Sequence, residues 1–427
     1  MMERYREYKE SGVKWLGEIP SHWELRKIFG LFSENKRKNT AFLYKHAMQF
    51  NYGTIVDKNE CFDTEETKEI YSNYSLINKG DIVINGLNLN YDFVSQRVAI
   101  SPKNGIITSA YVVISPKVEI NTYFYCYLFK NMDNMKIFHG MGTGVRKTLS
   151  YKELRNHEVL LPPLSEQDAI VRYLDTATSE IDKAIAMQQK MIDLLNERKQ
   201  IIIQNAVTKG LDENVEMKES GVEWIGRIPK HWEVLKLKRC AIIKTGTTPP
   251  TSNLKYFENG DIPWFTPGDI NDMNLHLSSK TITKKAIEDN VGRLFPAKSI
   301  YFVGIGATVG KVASCDFEAS SNQQINAIMC NDRLDYKFAT YCLLMEQRII
   351  RETTNFVTLP ILNQSSTGLI NIVVPPKSEQ QQIVTYLDGE MEKFDSAITN
   401  CQRQITLLQE RKQIIINEVV TGKVRVS

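Results

Sequence analysis

The sequence predicts an α+β chain of two mixed α/β domains. Each domain is followed by a long helix, and the two helices pack as an antiparallel coiled coil about a pseudo-twofold internal repeat. Three observations carry this expectation. Residues 162–208 recur 213 positions later as residues 375–421 with no gap, and 26 of 47 positions are identical. Residues 9–28 recur with an offset of 209, with 13 of 20 positions identical. Between these repeats lie two unlike segments of short apolar runs bounded by turn residues. A repeat of this length has to be settled before any local assignment.

The longer repeat reads as a helix. Each copy opens on a proline pair, Pro162-Pro163 and Pro375-Pro376, which stops the preceding element. Ser165 and Ser378 follow, and are expected at the N-cap. Apolar residues then recur at four-three spacing, sustained over several heptads. The predicted helix–helix seam holds Ile170, Leu174, Ile181, Leu195 and Ile202 in one copy, and Ile383, Leu387, Phe394, Leu408 and Ile415 in the other. At 1.5 Å per residue such a helix is a rod of roughly 60 Å, too long for one small domain to cover. The simplest partner for each copy is the other copy.

The shorter repeat runs Lys-Glu-Ser-Gly-Val-x-Trp and ends in Ile-Pro-x-His-Trp-Glu, at residues 9–24 and 218–233. Four of the five tryptophans lie in it. It is expected to dock its indoles onto the domain it introduces rather than to form a ligand site, since tryptophan gives large apolar burial with one polar handle. In the first variable segment, residues 81–84, 98–100 and 110–114 read as strands and residues 123–130 as a helix. In the second, residues 262–266, 299–303 and 325–329 read as strands and residues 336–350 as a helix. The predicted divisions are domain 1 over 9–160, helix 1 over 161–210, a linker over 211–217, domain 2 over 218–374 and helix 2 over 375–422.

At 427 residues the chain can hold two or three proper cores. Hydrophobic residues are 42% and charged residues 24%, as in soluble globular proteins. No run of 18 apolar residues exists, so no membrane contact is expected. The charged N-terminus does not read as a signal peptide. Seven scattered cysteines without a Cys-x-x-Cys argue for reduced thiols in a cytoplasm. The net charge of +3 permits nucleic-acid binding without demanding it.

Catalytic patterns are missing together. Gly304-Ile305-Gly306-Ala307-Thr308-Val309-Gly310-Lys311 resembles a phosphate loop, but its glycine spacing is wrong and Val312 follows the lysine. It reads as a tight turn presenting Lys311. The six histidines form no metal-ligand pair, and there is no Gly-x-Ser-x-Gly elbow. No catalytic or metal residue is therefore expected, and no cofactor bound by this chain. What remains suits nucleic acid, because the loops carry residues that reach base edges and phosphates. The candidates are Asn88, Asn90, Tyr91, Arg146 and Lys147 in the first segment. In the second they are Thr247, Lys255, Lys311, Asn322, Gln323 and Gln324.

With these residues in view, the chain resembles the specificity subunits of type I restriction–modification systems. The resemblance rests on the doubled Gly-x-Ile-Pro-x-His-Trp (17–23 and 226–232), the Pro-Pro-x-x-Glu-Gln helix starts and the closing Glu-Arg-Lys-Gln runs. It extends to Lys79-Gly80-Asp81-Ile82-Val83-Ile84, to 262–270, and to Gly310-Lys311-Val312-Ala313 with Asn322-Gln323-Gln324. The resemblance implies two target-recognition domains, each reading half of a bipartite site in double-stranded DNA, and no catalysis in this chain. It implies two methyltransferase subunits that bring S-adenosylmethionine and methylate adenine at N6. It also implies restriction subunits with ATP-driven translocation, so ATP and Mg are expected on partners. Two alternatives stay open: a specificity chain of another combined cutting and methylating class, and a coiled-coil scaffold without DNA binding.

Overall fold

The computed structural model describes residues 3–58, 64–94, 96–145, 147–353 and 361–426. Two helices dominate it, Leu164–Lys209 and Lys377–Val420. The chain divides into two compact units, residues 1–189 with 402–427, and residues 190–401. Each unit therefore takes one domain, the first part of the helix that follows it, and the last part of the other long helix.

The helices begin two residues before the start that an N-cap at Ser165 or Ser378 implies. Ser165 and Ser378 lie inside the first turn, not at the cap. The reason is that glutamines organise the start. Gln167 Nε2 donates to the Pro162 carbonyl at 2.8 Å, and its Oε1 accepts from Asn121 N at 2.9 Å. Gln380 repeats this with the Pro375 carbonyl at 2.8 Å and Asp335 N at 2.7 Å. Both glutamines are buried, so these bonds are made where water cannot replace them.

In the first unit the core gathers Trp23, Ile28, Phe32, Ile114, Phe124 and Phe129 with Ile170 and Leu174 of the first long helix. It is completed by Ile416, Val419 and Val420 of the second. Asp182 pairs with Lys412 at 2.7 Å, and Gln188 Nε2 donates to Gln404 Oε1 at 2.8 Å. Partner numbers rise in one helix as they fall in the other, so the two run antiparallel. The second unit repeats the arrangement: Ile383, Leu387 and Met391 pack with Ile203, Ala206 and Val207, and Lys199 pairs with Asp395 at 2.6 Å. The predicted coiled coil is present. Of the predicted seam residues, Ile170, Leu174, Ile181, Ile383 and Leu387 are buried. Leu195, Ile202, Phe394, Leu408 and Ile415 are only half-buried; of these Ile415 packs at the edge of the first core and Ile202 and Phe394 at the edge of the second.

The first domain holds two four-stranded sheets. One is antiparallel and runs in the order Phe32–Glu34, Val112–Pro116, Ile82–Ile84, Val98–Ile100. The other joins Thr54–Asp57, Ala47–Asn51, Gly105–Ile107 and Ser75–Ile77 with one parallel pairing. The predicted helix is longer than expected and spans Thr122–Asn134, capped by the Asn121 side chain. In the second domain Ala241–Thr245, Ile325–Cys330, Ser299–Val303 and Val312–Cys315 form a four-stranded sheet. Lys280–Ile282, Ile262–Phe265 and Ser320–Ser321 form a three-stranded one. The helix Tyr336–Thr353 follows. Each domain is tied shut by pairing the strand after its opening segment with the strand before its long helix, Glu24–Lys27 with Glu158–Leu161 and Glu233–Lys236 with Asn371–Val374.

The His-Trp segments dock onto the helix starts. Trp23 and Trp232 are fully buried. Trp23 Nε1 donates to Glu166 Oε2 at 2.9 Å, and Trp232 Nε1 to Glu379 Oε2 at 2.9 Å. His22 and His231 reach the other oxygen of the same carboxylates at 2.6 and 2.8 Å. Tyr5 OH adds a third bond to Glu166 at 2.9 Å. The six described cysteines, 126, 240, 315, 330, 342 and 401, are free. Cys61 lies outside the described residues.

Candidate nucleic-acid interface

The structure brings the first-domain candidates together. The loop after strand Ile82–Ile84 and the loop over 142–149 are clasped to each other. Leu89 N donates to the Lys147 carbonyl at 3.0 Å, and Leu149 N to the Gly86 carbonyl at 2.9 Å. Asn90 Nδ2 donates to the Val145 carbonyl at 3.2 Å. Gly86 is required here, since a Cβ would run into the Leu149 carbonyl. Asn88, Tyr91 and Lys147 are exposed at this tip, whereas Asn90 Nδ2 is spent on holding the two loops. Arg146 lies outside the described residues. Sequence reasoning missed three exposed apolar neighbours, Phe93, Val94 and Val145.

The second-domain candidates converge in part. Thr247 N donates to the Ser321 carbonyl at 2.8 Å, and Gly304 N to the Gln324 carbonyl at 2.8 Å. Thr248 Oγ1 bonds the Gln323 side chain. Gly246 permits this approach, since a Cβ would meet the Asn322 carbonyl. Gln323 is exposed and Thr247 and Gln324 are half-buried. Asn322 is buried, and its side chain is used within the loop, on Gln324 Oε1 at 2.9 Å and Gln324 N at 3.0 Å. The turn over 304–311 links strands Ser299–Val303 and Val312–Cys315, with Gly310 N donating to the Val303 carbonyl at 2.8 Å. Lys311 is half-buried and Nζ donates to Asn271 Oδ1 at 3.3 Å. Lys255 stands apart from these loops, 3.4 Å from the Asp289 carboxylate and 4.7 Å above the Tyr256 ring.

Two polar residues that organise these loops were also missed. Asn326, 3% exposed, lies within strand Ile325–Cys330. Its Oδ1 accepts from Thr245 Oγ1 at 2.8 Å, and its Nδ2 donates to the Leu362 carbonyl at 2.8 Å and to Thr367 Oγ1 at 2.9 Å. An asparagine inside an apolar strand run was a usable signal, because the type is depleted there. Arg97 is the other; in sequence it reads as an ordinary basic residue before a strand. Burial pushes the neighbouring Asp133 carboxyl up, partly offset by the Arg97 amide and by Lys136, Arg97 and His139. Among the described residues no group of three or more His, Cys, Asp or Glu could hold a metal ion. No helix among them is long and apolar enough to cross a membrane.

The family model of the type I restriction modification DNA specificity domain matches this chain twice, over residues 20–190 and 229–409. The chain belongs to that family. Both matches run from a His-Trp segment through a domain with differing loops into a long helix, which is the repeat seen in the structure. The putative type I restriction enzyme MjaX specificity subunit of Methanocaldococcus jannaschii is 26% identical, with 98% of each chain covered. The EcoR124I/EcoR124II specificity subunit of Escherichia coli is 26% identical over 58% of this chain and 57% of its own. Among solved structures, a chain from a study of complex assembly and conformational transition of the type I R-M system matches with a TM-score of 0.75. It is 15% identical and covers 94% of this chain and 98% of its own. The HsdS subunit of Thermoanaerobacter tengcongensis matches at 0.54 with 17% identity, covering 97% and 100%. At these identities the two structures establish the fold.

Proposed function

We propose that this specificity-family chain reads an asymmetric, bipartite sequence in double-stranded DNA, one half-site per domain, and is itself non-catalytic. One observation carries the reading. A framework repeated at two fixed offsets, 209 and 213, holds two loop clusters of unlike sequence. A repeated frame with unlike reading loops suits two unlike half-sites at a set spacing. In the first cluster Asn88 and Tyr91 offer hydrogen bonds and a stacking face, the exposed valines offer contact to thymine methyls, and Lys147 offers a phosphate contact. In the second, Gln323 and Gln324 offer hydrogen bonds and Lys311 a phosphate contact, while Thr247 holds its loop to the Ser321 carbonyl.

The same reading assigns two methyltransferase subunits, carrying S-adenosylmethionine for adenine N6 methylation, and restriction subunits using ATP and Mg, in a cytoplasmic complex. Exposed apolar residues on the long helices support partner docking: Met187, Leu407 and Ile414 in the first unit, and Met191, Leu194 and Ile201 in the second. The test is the methylated-adenine motif of cells producing this chain with the methyltransferase encoded beside it. Two unlike half-sites separated by unspecified bases are expected. A single continuous motif, or methyl transfer by the isolated chain, refutes the proposal.

A further inference from the structure

Arg97 ends the loop that carries Asn88 and Tyr91 and is followed at once by strand Val98–Ile100. Its side chain is 1% exposed. Arginine is almost never this buried unless its charge and donors are matched. Here the donors are spent on the loop's own backbone. Nη1 donates to the carbonyls of Asn85 at 3.1 Å and Leu87 at 2.7 Å. Nη2 donates to the Asp92 carbonyl at 2.7 Å, lies 3.5 Å from that of Asn88, and sits 3.7 Å from the Asp92 carboxylate. A planar guanidinium fork fixes the relative positions of the carbonyls it binds, which a flexible ammonium does not.

The helical segments behind the loop brace the same turn. The Arg97 amide donates to Asp133 Oδ2 at 2.8 Å. His139 Nε2 lies 3.1 Å from the Asp92 carbonyl, and its ring stacks on Phe93 at 4.8 Å. Lys136 Nζ donates to the Phe93 carbonyl at 2.6 Å. Yet Arg97 Nε and Asp133 Oδ1 have no partner among the described residues. An apolar filling would serve stability as well as a buried, imperfectly matched charge does. What the arginine supplies is one defined loop shape. In the second domain the buried, neutral Asn326 makes three side-chain bonds, to Thr245, the Leu362 carbonyl and Thr367.

We propose that Arg97 is a positioning residue for sequence recognition: it sets the loop conformation in which Asn88 and Tyr91 meet the first half-site. This rests on the reading that this loop contacts DNA. Arg97 touches no base itself. Its loss is expected to blur the first half-site while leaving the second intact.

The test uses the full chain produced with its methyltransferase, and methylated motifs are scored by sequencing. Arg97→Lys keeps the charge and loses the fork. It should lower discrimination at the first half-site by about tenfold or more, while the second stays within about twofold. Hydrogen exchange should rise over 85–94 alone. Should Arg97→Lys fail to accumulate, His139→Phe keeps the stacking ring and removes one bond to the Asp92 carbonyl, and a smaller loss confined to the first half-site is expected. Tyr125→Phe is the control, because it deletes a core bond to the Leu160 carbonyl far along the chain from the loop. Unchanged first half-site discrimination in both loop variants overturns the proposal. So does an equal loss at both half-sites matching the Tyr125→Phe control. A wild-type chain that selects no bipartite site overturns the DNA reading as well, which separates the two failures.

Discussion

Replacing Glu166 by alanine should unpin the first opening segment from its helix, and the cost can be worked from the bonds lost. The carboxylate takes Trp23 Nε1, Tyr5 OH and His22 Nε2, at 2.9, 2.9 and 2.6 Å. Trp23 is fully buried, so its orphaned indole N–H costs about 1–3 kcal/mol. The Tyr5 and His22 bonds sit at a carboxylate still 28% exposed, and after screening add about 0.5 kcal/mol each. Glu166→Ala should therefore cost about 2–4 kcal/mol. Glu379→Ala breaks the twin site, which has two bonds, and should cost about 0.5 kcal/mol less. Partial burial pushes the Glu166 carboxyl up, but the bonds from Trp23, His22 and Tyr5 outweigh it and leave the group below its ordinary value. A carboxyl lowered on folding stabilises fully above its unfolded pKa and loses that contribution as pH falls through the folded one. The gap between wild type and Glu166→Ala should thus be full at neutral pH and narrow below the ordinary glutamate range, as the charge-dependent part of the bonds is lost. Urea unfolding followed by tryptophan fluorescence at several pH values measures it, with the slope checked for constancy. A Glu166→Ala midpoint equal to wild type, or a gap that widens on acidification, would refute the pinning role.

Three further outcomes are expected. Leu174→Ala and Leu387→Ala, at fully buried positions, should each cost about 2–5 kcal/mol in the same assay. Leu195→Ala and Leu408→Ala, at half-buried ones, should cost about 1 kcal/mol; the reverse order would contradict the packing described. Exchanging residues 29–160 for those of a relative should change one half-site of the methylated motif and leave the other, and a change in both or neither would show that reading is not divided between domains. Lys147→Ala should weaken binding in a gel-shift titration evenly across sequences, and reduce the salt slope by about one, if it contacts phosphate; loss at one position of the first half-site would place it on a base.

The repeat made the framework legible in sequence. Two copies with matching heptads predict paired long helices, and four of five tryptophans in one repeated motif predict a docking segment. Strands such as Ser299–Val303 followed from apolar runs between turn residues, because period and punctuation are local properties. The compact units did not follow. That Val419 and Val420 complete the first core is a contact between residues far apart in sequence, which no local pattern encodes.

The site divided the same way. Residue types placed Asn88, Tyr91, Lys147 and Gln323 on loops, and the structure put them at exposed positions. The same types nominated Asn322, which is buried, and Lys255, which stands apart among other partners. Composition reports what a side chain can bond to, whereas packing decides which partner is nearest. Arg97 and Asn326 show the converse. Their roles consist of bonds to backbone carbonyls and side chains that only the folded chain brings within reach, so the tertiary structure alone could assign them.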